Sequence, residues 1–115
     1  MRLMLPSNRK AEKRKIMEAN SRFIASFDKN DYIGCRNEIL AMKQSVEELN
    51  ISAYWAYTHG DSKLYRLTFK DAMNFSKYVD TCLLKLIDAM IHSLKIQLVA
   101  NDDIGQGIIN GDEAF

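Results

Sequence analysis

The chain has 115 residues, 47% of them hydrophobic and 27% charged, which fits one folded domain with a modest core. Cys35 and Cys82 lie far apart with no CxxC and no His/Cys cluster, which argues against a zinc site and against a secreted disulfide scaffold. Net charge is +1, but residues 1–15 carry +5 and residues 100–115 carry −4, so a basic head and an acidic end flank a balanced middle.

The opening "MRLMLPSNRK" has no hydrophobic run of signal-peptide length. Ser7 can cap a helix that begins near Asn8. Its apolar residues Ile16, Phe23, Ile24 and Phe27 share one face, interrupted by Asn20. A break between Ala19 and Ser21 would divide it into two shorter helices. "DKND" (28–31) is a turn, and Asp31 suits the next N-cap.

Tyr32, Cys35, Ile39, Met42, Val46 and Leu49 step by three and four residues, the seam of an amphipathic helix over 32–49. Gly34 weakens its first turn by about 1 kcal/mol relative to Ala. Asn50 suits the left-handed position just beyond. The opposite face carries Arg36, Asn37, Lys43, Gln44, Glu47 and Glu48.

"ISAYWAYT" (51–58) and "KLYRLTF" (63–69) are rich in aromatic and β-branched residues, which fit a pleated surface. "HGDS" between them is a turn-former cluster. The residues favour a β-hairpin. The helical alternative uses Gly60 as a C-terminal cap and Asp61 as the next N-cap.

Residues 70–100 read as one helix with two apolar stripes. Ala72, Phe75, Val79, Cys82, Leu86 and Met90 form the first, and Leu84, Ile87, Ile91, Leu94 and Leu98 the second. One stripe covers the domain. The other meets a second chain in a homodimer, or is covered by the first helix. Lys85, Asp88, His92 and Lys95 interrupt the apolar run, so no membrane span is expected. "NDDIGQGIINGDEAF" (101–115) reads as an acidic flexible tail after a single domain over 1–100.

A helix ending "VEELN", a hairpin, and "LYRLT" running into a long helix resembles the winged-helix transcription regulators of the PadR and MarR families. The resemblance covers roughly 36–98 in pattern and "YRLT" (65–68) in residues. It departs at Asp71, where those families usually have Gly. It implies an α+β winged helix-turn-helix fold with one hairpin, against an all-α helical bundle as the alternative. It also implies a dimeric regulator that binds double-stranded DNA, with residues 32–49 in the major groove. Arg36 would then read guanine, Asn37 or Gln44 adenine, and Lys43 a phosphate. His59, Lys63 and Arg66 would approach phosphate or the minor groove from the wing, and Arg9, Lys10, Lys13 and Arg14 would add sequence-independent attraction. Glu38, Glu47 and Glu48 on the same helix oppose phosphate.

A second function class is a small helical adaptor or inhibitor that binds a larger protein. Trp55 and Tyr57 would anchor it as an aromatic hot spot, or Leu84, Ile87 and Ile91 as an apolar helix face. The aromatic cluster of Tyr54, Trp55, Tyr57 and Tyr65 also admits plain packing or base stacking. The basic head is similar in flavour to short arginine-rich RNA-binding helices. His59 and His92 are the only histidines, and no nucleophile triad, phosphate loop or metal-ligand set is legible. The expectation is a non-enzymatic cytosolic protein without a cofactor.

Overall fold

The computed structural model describes residues 8–109, with side chains as far as residue 100. They form three helices: α1 (Arg9–Asp28), α2 (Tyr32–Thr58) and α3 (Ser62–Ile109). No strand occurs among the described residues.

The two turns between these helices are built alike. After α1, the Asp31 amide donates to Ser26 O at 2.9 Å and the Asn30 amide to Phe27 O at 3.1 Å. After α2, the Asp61 amide donates to Ala56 O at 2.9 Å and the Gly60 amide to Tyr57 O at 3.3 Å. Each pair is a Schellman motif, which needs a left-handed residue just past the helix. Asn30 (φ 59°) and Gly60 (φ 77°) supply it. The aspartate that follows then opens the next helix. Asp31 Oδ1 accepts from the Gly34 amide at 2.9 Å, and Asp61 Oδ1 from the Leu64 amide at 3.1 Å. At the front of α1 it is the Asn8 side chain that caps, accepting from the Ala11 amide at 3.1 Å.

This repeated turn overturns the hairpin. "HGDS" joins two helices, so the α+β winged helix, and with it the PadR/MarR resemblance, is replaced by the all-α alternative. The aromatic residues of 51–58 carry strand propensity, but Ser52, Ala53 and Ala56 fall on the buried face that continues from Leu49. Burial on one helical stripe overrides a propensity that reflects fit to a half-buried pleat. Hence α2 runs through Asn50 without ending at Leu49, and α1 is unbroken at Ala19–Ser21.

The core is a seam of Ile16, Ala19 and Phe23 from α1, Cys35, Ile39, Met42, Val46 and Leu49 from α2, and Ala72, Val79, Cys82 and Leu86 from α3. Ile24, expected on the buried face of α1, is half exposed, and Ala19 takes the inward position. Ala72, Val79, Cys82 and Leu86 of the first stripe of α3 are buried as expected, Phe75 is half-buried against them, and Met90 is exposed.

Consecutive helices joined by such short turns run antiparallel, so α1 and α3 run the same way on α2. Side chains fasten them: Arg9 Nε and Lys13 Nζ both reach Asp71, the latter at 3.5 Å, and the Tyr78 hydroxyl donates to Asn20. At 48 residues, α3 is about 72 Å long. The molecule is accordingly elongated, with extents of 71 × 26 × 25 Å. Helix α3 continues past the expected end at Ala100 to Ile109. The reading of 101–115 as a flexible tail falls at 110–115, and for side chains beyond 100, outside the described residues.

Candidate interaction surface

Tyr32, the first residue of α2, borders a groove on α3 with Ile87, Met90, Ile91, Leu94 and Gln97. This is where the two-helix support of α3 stops. From here α3 runs on for about 25 Å. Leu84, Ile87, Ile91, Leu94 and Leu98 step by three and four residues along it and are each between 42% and 61% exposed. Leu83, Met90, Ile96 and Val99 beside them are also exposed. The buried stripe and this one lie roughly 120° apart around the helix at 100° per residue. Helix α1, one expected cover for the second stripe, packs on the other side. A contiguous apolar row of this length is uncommon on the exposed face of a single chain.

A second apolar patch lies at the opposite end. Tyr57 and Tyr65 are 5.2 Å apart between ring centroids, Tyr65 and Phe69 5.7 Å, and Tyr54 lines the same groove. Trp55 stands apart from it, stacked on His59 at 4.1 Å, whose Nδ1 donates to Trp55 O at 2.8 Å. Tyr57 is exposed and Trp55 half-buried. The proposed partner anchors therefore divide between two ends: Tyr65 and Ile87, on the same helix, are about 33 Å apart along its axis.

The residues expected to contact DNA are also dispersed. Arg36 and Asn37 lie in the first turns of α2, and Lys43 and Gln44 near its middle, all exposed. Lys63 and Arg66 are exposed on the first turns of α3, at the far end of α2. Without a hairpin they form no wing. Arg9 and Lys13 are paired with Asp71, while Lys10 and Arg14 are exposed on α1. Arg22 holds Glu38 at 2.9 Å. A polar groove between α1 and α2 is lined by Glu12, Lys15, Glu18, Arg22, Gln44 and Glu48, with Lys15 and the buried Glu12 at 3.4 Å.

Both thiols are buried and free. Burial pushes each above its ordinary value, and the nearby charge of Asp31 adds to this at Cys35. Thiols in that state are poor nucleophiles. No group of three or more His, Cys, Asp or Glu that could hold a metal occurs among the described residues, and no helix among them is long and apolar enough to cross a membrane.

Reasoning from sequence had all five residues of the stripe, from Leu84 to Leu98, but missed Tyr32 as a member of the surface. Tyr32 carried no signal, because its place beside Met90 in the groove depends on where the α1–α2 turn falls along α3. Phe69 was missed in the aromatic patch, although it stands four residues after Tyr65. No protein-family model, curated protein or solved structure matches this chain.

Proposed function

We propose that this chain is a non-catalytic helical adaptor or inhibitor whose working surface is the second stripe of α3, and which acts by packing that stripe against a partner helix. The carrying observation is the exposed row from Leu84 to Leu98, about a third of a turn around α3 from the stripe buried in its own bundle. A heptad-spaced apolar row presented on one continuous helix is the surface that helix-on-helix recognition uses. Two buried thiols held in the reduced form fit a cytosolic setting.

Duplex-DNA binding, the other reading, has only charge behind it once the hairpin is gone, and part of that charge already neutralises Asp71 and Glu38. One pair of experiments separates the two. The chain and its Ile91→Asp/Leu94→Asp variant are compared as bait, with circular dichroism to establish that both stay helical. Duplex DNA is then titrated at about 50 mM salt and again at higher salt. Partners retained by the parent and lost by the variant support the adaptor. Duplex affinity that falls steeply with salt and survives the double substitution overturns it.

A further inference from the structure

We propose that the helix received by this stripe is α3 of a second copy, running antiparallel about a two-fold axis that passes between Ile91 and Leu94. The proposal rests on the stripe being the working surface and names its occupant. In a heptad frame, Leu84, Ile91 and Leu98 take the a positions and Ile87 and Leu94 the d positions. Antiparallel helices stack a against d. With the axis between Ile91 and Leu94, Ile87 meets the partner's Leu98 and Ile91 meets the partner's Leu94. The same two layers repeat on the other side of the axis.

The charges choose this orientation. Asp88 and Lys95 occupy the e positions that flank the seam. In an antiparallel pair e faces e, so Asp88 lies beside the partner's Lys95 and Lys95 beside the partner's Asp88. Two opposite-charge pairs form with no like-charge contact. In a parallel pair e faces g, and the g residues are Leu83, Met90 and Gln97, so neither charge finds a partner. Flanking charges of this kind set orientation in helix pairs. At the g positions Met90 lies beside the partner's Gln97, which is neutral in both senses. The geometry is also permissive. Each bundle lies about a third of a turn around its own α3 from the seam and ends beside Met90, and the antiparallel arrangement puts the two bundles at opposite ends, so they do not collide. The outermost of these layers are only about 17 Å apart, a short seam that suits a reversible dimer.

Sedimentation equilibrium of the full chain, from about 10 µM to about 1 mM, reads the assembly. The expected result is a monomer–dimer equilibrium that Ile91→Asp/Leu94→Asp abolishes. Asp88→Lys alone, or Lys95→Asp alone, places like charges at both flanks and weakens the dimer about tenfold. The double exchange Asp88→Lys/Lys95→Asp restores it. A spin label on Ser76→Cys, an exposed position, adds a distance. Its mate is about 50 Å away along the axis in the antiparallel dimer and beside it in a parallel one. A dimer indifferent to the single exchanges, or labels at short range, overturns the antiparallel pairing. A monomer at every concentration overturns self-pairing altogether. If the bait experiment still loses its partners with the Ile91/Leu94 variant, the adaptor reading survives with a foreign helix in the seat. If it does not, that reading falls as well.

Discussion

The Asp31 carboxylate occupies the space that a β-carbon on Gly34 would need, and Ser26 Oγ, 2.8 Å from that point, closes the other side. The carboxylate sits there because it caps the Gly34 amide. Glycine is thus the residue that lets the cap fold over the first turn of α2. Gly34→Ala gains helix propensity worth about 1 kcal/mol but displaces a cap worth about the same and crowds the neighbouring hydroxyl. The expected outcome in urea unfolding is a net loss of stability. The Asp31→Ala/Gly34→Ala double variant should lose less than the two single losses together, because the clash disappears with the carboxylate.

Thr68 is fully buried, and its hydroxyl has no hydrogen-bond partner. An unmet buried hydroxyl costs on the order of 1–3 kcal/mol. Valine keeps the shape and removes the polar atom. Thr68→Val should raise the melting temperature, while Thr68→Ala should lower it by opening a cavity in the α2–α3 seam.

Cys35 and Cys82 have folded pKa values raised above the ordinary 9.0, first by burial. For a group raised on folding, the stabilising contribution is complete below its unfolded value and is lost as pH rises through the folded one. Stability should therefore hold near neutrality and fall above pH 9. Thermal melts across the alkaline range of the Cys35→Ala/Cys82→Ala variant should start lower, because of the cavities, and decline less steeply. The parent thiols should react with a disulfide reagent only at the rate of global opening.

Asp71 receives both Arg9 and Lys13 from α1, and its side chain is mostly buried. Replacing it with Asn removes the ionic attraction that fastens the start of α1 to α3, at a cost of about 1 kcal/mol. Hydrogen exchange should report the loss as faster exchange at the start of α1, with α2 unaffected. Added salt should reproduce part of the effect in the parent.

Much of the bundle was legible in the chain. The seam of α2 from Cys35 to Leu49 and that of α3 from Ala72 to Leu86 follow from three-and-four spacing alone. The stripe from Leu84 to Leu98 was equally plain, though the sequence left open whether a second chain or α1 covers it. The reading of 51–69 failed because two signals conflict there. Tyr54, Trp55, Tyr57 and Tyr65 speak for a strand when each is weighed singly. Gly60 followed by Asp61 is the same punctuation as Asn30 followed by Asp31, and it speaks for a helix turn. The comparison of the two turns was available in the sequence and decides the case, because caps act on backbone groups that have no other partner. The position of Tyr32 against Met90 was not legible, since it depends on the relative heights of two helices.

The length of α3 also has a consequence for how firmly its outer half is held. Propagating a helix beyond Leu86 needs no new nucleus, since the bundle already supplies one. Each added turn nevertheless rests on its own hydrogen bonds, with Gly105 and Gly107 in the last stretch to weaken it. Amide protection should decline in steps from Leu86 outward, as fraying replaces global opening. A molecule that seats itself on this segment therefore does two things at once. It gains apolar contact, and it arrests the fraying. Part of its binding free energy is spent on order the free chain lacks, so its affinity will follow any substitution that changes helix propensity between residues 90 and 109.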